Sequence, residues 1–422
     1  MCYTRQARGQ DGADLSFDVL LNDQDYALLV QRVADDPNNV GLAIAGFIAM
    51  QRAVTEAKDA EATAKRLGSA GACALALQIL RALEPLEEVQ FFGCQALRAL
   101  SASPRNIFRL EALRVADHLH ALLVAYPASA RVVGEVHWTL DVLLTASEPL
   151  ALRWYTTLDG IPLQLSVLTR YMDEPLAQSH GCRVFGAIAR RFKHRLSTEH
   201  VADMGNHAVS AVVTHVASHE VVTAGVAFIE LVCDKDARLF FQDAAWFRTV
   251  FATHLKQPCV LAEVTHLYRT LCHASPALAC ELAIAGGWSC VQDALRWYHD
   301  SDAPMTFDLL RLVHHLVDRL SLDDKVLHIY TVDDLLIWQV SAVCDDGLAM
   351  LQLVLACHNE YEDHEGLQVE VCCILRHYAA CSERDTWATP ALAMSLRHVM
   401  RLHPTSATLQ RDASDALERL GL

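Results

Sequence analysis

The chain has 422 residues, of which 52% belong to the AVILMFWYC set and 20% to DEKR. With a mean hydropathy of +0.18, that composition excludes disorder for the bulk of the chain, which requires low hydrophobicity and high charge. Asp and Glu number 51 against 35 Lys and Arg, a formal charge of −16. Such a surface repels phosphate backbones and anionic bilayers, a local basic patch aside, so neither nucleic acid nor membrane is the expected partner. The 14 cysteines form no Cys-x-x-Cys pair and sit mostly in apolar runs such as Val371-Cys372-Cys373-Ile374-Leu375. They read as small core residues of a reducing compartment, and the cytoplasm, or the cytoskeleton within it, is the expected location. No apolar run approaches the roughly 18 residues that a bilayer span needs, the stretch from Gly41 to Met50 being among the longest.

The residues ahead of Tyr26 are polar and contain Gly and Asp, so segment 1–24 is expected to be poorly ordered. From Tyr26 onward one helical run follows another, separated by only a few residues rich in Pro, Gly, Asp or Asn. Ala34-Asp35-Asp36-Pro37-Asn38-Asn39, Ala102-Ser103-Pro104, Ser147-Glu148-Pro149 and His403-Pro404-Thr405-Ser406 are such breaks. Apolar–polar alternation between hairpin turns is hard to find. Ala and Leu, strong helix formers, are abundant, while Gly and Pro number 18 and 12. The fold class is therefore read as all-α, with 25–422 as a single domain.

A unit recurs within it: a helix, a short break, then a longer helix carrying small–x–x–apolar–x–x–apolar. Gly93-Cys94-Gln95-Ala96-Leu97-Arg98-Ala99-Leu100 and Gly181-Cys182-Arg183-Val184-Phe185-Gly186-Ala187-Ile188 are the clearest copies, and the run from Ala224 to Leu231 is a weaker one. The first apolar anchors of the long helices, Leu97, Leu140, Phe185, Phe228, Tyr268 and Val313, are spaced by 43, 45, 43, 40 and 45 residues. Leu375 and Leu417 continue the series 42 apart, after a gap of 62 that is read as an extra helix inserted near 334–346.

The segment 93–100, its echo at 181–188 and the run from Ser69 to Leu80 resemble the armadillo-repeat family, whose units span about 40–47 residues. The resemblance covers Tyr26 to Leu420 and implies an armadillo/HEAT-like right-handed α-solenoid of about eight to nine helical repeats. It also implies a concave groove lined by the residues two before and two after each anchor. Those are Gln95, Trp138, Arg183, His266 and Arg311 in the first set, with Val226, Cys373 and Asp415. Glu230 and His315 are in the second, with Ala99, Val142, Ala187, Thr270, His377 and Arg419. Only Trp138 keeps the family's Trp, and no Asn keeps its Asn ladder, which speaks against a nuclear-import receptor. Arg183, His266, Arg311 and His315 point instead to an acidic or phosphorylated partner segment. The expected function is a non-catalytic interaction scaffold that binds a protein partner along the groove, with Trp138 as an aromatic anchor. The alternative is a structural subunit of a larger cytoskeletal or ciliary assembly.

Other chemistry-bearing clusters have plain structural readings. Arg190-Arg191-Phe192-Lys193-His194-Arg195 is the densest positive run and reads as a helix C-terminus offsetting the macrodipole, more than as an anion site. Cys373, His377 and Cys381 share one helical face, yet their spacing matches no standard zinc module, so packing is favoured and neither metal nor cofactor is expected. Asp pairs at 35–36, 323–324, 333–334 and 345–346 read as helix N-caps. The 21 histidines select no particular site. Hydrolase, zincin, P-loop and dinucleotide motifs are absent, and no enzymatic activity is expected.

Overall fold

The breaks between runs supply the groups that start helices. Asp25, Asn39, Asp59, Ser129, Ser147, Ser197 and Thr389 each accept a hydrogen bond from the backbone N–H three residues on, satisfying a donor that a helix start leaves unpaired. The computed structural model describes residues 17–22, 24–236, 245–274, 281–321, 347–379 and 387–422, and these are all-helical with no strand. The last part of the polar N-terminal segment forms the short helix Phe17–Asn22. The helix expected near 334–346 and three of the four Asp pairs lie outside the described residues. Asp35 differs from expectation: it ends the helix Tyr26–Ala34, where it accepts from Gln31, and Asn39 starts the next. Among the described residues, no helix is long and apolar enough to cross a membrane.

The chain divides into two compact units, one ending at His215 and the other starting at Val216. In the first, the long helices Val40–Thr55, Glu87–Leu100, Ala130–Ala146 and Pro175–Phe192 pack each against the next. Pairs of shorter helices lie between them, such as Pro104–Ala112 with Val115–Ala125. In the second, the long helices are His219–Asp236, Pro258–Ala274, Ala303–Ser321, Glu365–Tyr378 and Ala407–Leu420, again each against the next. All eight anchors are buried, six of them completely. Each long helix thus covers its neighbours' apolar stripes, which it cannot do for its own.

Three devices recur with the period of the anchors. The first explains the small residue four before the anchor. A Cβ on Gly93 would overlap Leu80, and one on Gly181 would overlap Leu168, so glycine lets a leucine of the preceding helix lie directly on the long helix. The second is a glutamine seven before the anchor. Gln90, Gln178, Gln368 and Gln410 each donate through Nε2 to the carbonyls ten and seven residues earlier, at 2.6–3.1 Å. Those carbonyls lie at the end of the preceding helix, where the regular ladder of backbone bonds stops, and the amide ties that end to the long helix.

The third device links repeat to repeat. At the end of six of the helices that precede a long one, a Tyr or His side chain donates to a backbone carbonyl about one period upstream. In the first unit Tyr126 reaches Glu84, Tyr171 reaches Pro127 at 3.0 Å and His215 reaches Met172 at 2.6 Å. In the second His254 reaches Val216 at 2.6 Å, Tyr298 reaches Leu255 at 2.8 Å and His403 reaches Glu362 at 2.9 Å. Because a carbonyl only accepts, each of these histidines carries its proton on Nε2.

Gly93→Val is expected to destabilise the first unit by about 1–3 kcal/mol, the usual cost of overpacking a filled core. Chemical denaturation of the two proteins checks this, and an unchanged midpoint would refute the close approach to Leu80.

Candidate functional site

Beside the buried anchors, polar side chains of adjacent long helices meet, several of them largely buried. In the first unit Gln95 Nε2 donates to Glu135 Oε1 at 3.0 Å, and Arg98 approaches the other oxygen at 3.5 Å. The Arg98 guanidinium lies 3.5 Å from the ring centre of Trp138, whose indole stacks on His180 at 4.8 Å. His180 Nδ1 is 2.9 Å from Asp141, and Arg183 is 3.8 Å from the same carboxylate. Gln95, Trp138 and Arg183 therefore belong to one continuous ladder across three helices. Its inner rung is largely dry, with the side chains of Arg98 and Glu135 only 17% and 6% exposed. Burial lowers the Arg98 guanidinium from its ordinary value, opposed by Glu135.

The second unit builds the same kind of ladder. His266 Nδ1 is 2.6 Å from Glu230, and Arg269 is 3.7 Å from Asp308. Arg311 and His314 share Glu370 at 3.5 and 2.6 Å, while His314 stacks on His315, which meets His273 edge-on at 4.2 Å. Further on, Arg376 is 2.8 Å from Asp412, which also accepts from the Cys373 thiol at 3.0 Å. Burial and then Asp412 push that thiol well above its ordinary value, so it stays protonated. Cys381, its suggested metal-ligand neighbour, lies outside the described residues, and among the described ones no grouping of His, Cys and carboxylates could hold a metal ion.

Two corrections follow for the residues singled out in the sequence. Arg183, His266 and Arg311 are not bare cations, since each faces a carboxylate from a neighbouring helix. His315 is not a cation either. Burial, followed by His273, His314 and the two nearby arginines, lowers it to about 3. Trp138 meets groups from the helices on either side, so its ring edge is what remains for a partner.

Residues outside the sequence reading complete the ladder. Position five before the anchor holds Glu135, His180, Asp308, Glu370 and Asp412; position one after holds Arg98, Asp141, Arg269, His314 and Arg376. In every case the second set pairs with the first set of the following helix. The signal was present as complementary charge at fixed offsets from the anchors. A template that inspects only the positions two either side does not see it.

No family model matches this sequence, and no curated protein matches it. Solved structures do. The crystal structure of an engineered protein aligns with a TM-score of 0.65 at 13% identity, over 97% of this chain and 92% of that one. A chain from a study of a phosphorylation switch in the interaction of cadherin with β-catenin aligns over 98% and 99% at 11% identity, with a TM-score of 0.36. At 13% identity the first likeness shows the fold alone. The second, at a TM-score of 0.36, carries no argument.

Glu135→Ala leaves Arg98 buried without its carboxylate and is expected to cost about 3 kcal/mol of unfolding free energy. Adding Arg98→Met should recover part of that loss, and strictly additive losses in a double-mutant cycle would refute the pairing. His315 gives a pH test. With its folded value below its unfolded one, its stability contribution is complete above about pH 6.5 and declines as pH falls toward about 3. By pH 5 the loss is expected to reach about 1–2 kcal/mol. His315→Gln should flatten that slope in denaturation series, while an NMR titration midpoint for His315 near the ordinary value would contradict the assignment.

Proposed function

We propose that the chain is a non-catalytic interaction scaffold in which each unit is an armadillo-like stack of repeats, with the ladder face receiving an extended segment of a protein partner. The observation that carries this reading is the register of the ladder. Polar side chains recur at fixed offsets from the anchors on successive long helices, largely enclosed and held in place by pairing, while Arg183, His266 and Arg311 beside them are 45%, 49% and 39% exposed, so a partner meets a preorganised surface. The chemistry of the face is charge pairing and ring stacking. The Cys373 thiol, which donates to Asp412, is protonated and buried, unsuited to nucleophilic work.

The pairing also refines the partner. A wholly acidic or phosphorylated segment would have to displace Asp141, Glu230 and Glu370 from Arg183, His266 and Arg311. A segment of mixed charge can hydrogen-bond to both members of each rung without breaking it. Packed helices lie about 8–10 Å apart and an extended chain advances about 3.3 Å per residue. One residue in about every three should therefore face a rung.

Selection from a displayed library of random peptides tests this. Selected sequences are expected to carry both charges with a period near three, those held by the first unit losing binding on Trp138→Ala and those held by the second on Glu230→Lys. Selection of no binder, or of binders indifferent to both substitutions, would refute the reading.

A further inference from the structure

The ladder cations have carboxylate partners, but the turn after the helix Pro175–Phe192 is different. Arg190, His194 and Arg195 are exposed there, and among the described residues none of the three has an ion-pair partner. At the helix end it is Arg191 whose side chain bonds to carbonyls. It donates to the carbonyl of Ala187 in its own last turn at 3.3 Å and to that of Thr145, near the end of the helix Ala130–Ala146, at 2.6 Å.

The backbone that carries these three side chains is fixed at both ends. Arg195 N and Leu196 N donate to Phe192 O at 2.7 and 3.1 Å, and Leu196 is buried. Tyr155 stacks on Phe192 and donates to Arg195 O at 2.8 Å. Ser197 then caps the next helix through His200 N at 3.0 Å. The turn is preorganised, so little conformational entropy opposes a ligand there.

We propose that the 190–195 turn is a docking site for an acidic protein segment, a short run of Asp and Glu side chains, distinct from the ladder face. Charge complementarity carries the choice of ligand. An anion bound on the ladder must displace a carboxylate, whereas Arg190 and Arg195 have none to displace among the described residues, and two guanidinium groups suit bidentate carboxylate pairing. A short acidic run can sit within a screening length of about 8–10 Å of these cations. A long polyphosphate or an anionic bilayer would also meet the field of a molecule whose formal charge is −16.

The test is fluorescence anisotropy of a labelled hexaglutamate peptide with the full chain in low-salt buffer. Arg190→Glu with Arg195→Glu is expected to weaken binding roughly tenfold or more, and Arg183→Glu with Arg311→Glu to change it less than about twofold. The neutral pair Arg190→Gln and Arg195→Gln should give an intermediate loss with an unaltered unfolding midpoint, which separates lost binding from lost folding. Absence of binding, equal sensitivity to the ladder substitutions, or preference for a single-stranded oligonucleotide or phosphatidylserine vesicles would each overturn the proposal. The ladder reading is tested with other peptides and other residues, so either can fail alone.

Discussion

An isolated helical repeat of this chain has more apolar surface than it can cover. Ala, Leu and Val line more than one side of helices such as Val40–Thr55 and Ala130–Ala146, and the shorter helices are too brief to shield them. Burial is therefore cooperative between neighbours, at roughly 25 cal/mol for each Å² removed from water. The rest of the structure follows from stacking one long helix on another. Where glycine stands four before the anchor, at Gly93 and Gly181, a leucine of the preceding helix lies directly on the long one, and where glutamine stands seven before it, its amide ties the end of that helix to the long one.

The same constraint shapes the polar face. When long helices stack in register, the side chains just outside the apolar stripe are forced into proximity, and like charges there would oppose packing. Complementary pairs at fixed offsets remove that conflict. Arg98 with Glu135 and Arg376 with Asp412 are largely enclosed, as is His180 with Asp141. Replacing either partner alone would leave a charge where water has limited access. The face is thus both a packing requirement and a chemically patterned surface.

The helical class and the positions of the anchors were legible because both rest on local information, namely composition, breaks and apolar spacing. Leu97, Phe185 and Tyr268 are all completely buried, as their spacing requires. The polar side chains were harder to read, because their state depends on what a neighbouring helix brings. Nothing near His315 in sequence shows that His273 and Arg269 stand beside it, and nothing near Arg183 announces Asp141. Both would have surfaced from asking which charges recur at −5 and +1, a question about pairs of repeats instead of single ones. Asp35 was misread for a simpler reason: two acidic residues before a proline suit a helix end as well as a helix start, and Asn39 was the better initiator.

The side-chain links from Tyr126, Tyr171, His254, Tyr298 and His403 all run from a later repeat to an earlier one. That polarity makes a unit's two extremities unequal. Trimming from the C-terminal extremity uncovers backbone oxygens, which solvent satisfies at little cost. Trimming from the N-terminal extremity orphans phenols and imidazoles that are already partly enclosed. Proteolytic erosion, splicing or engineered shortening should accordingly be better tolerated from behind than from in front.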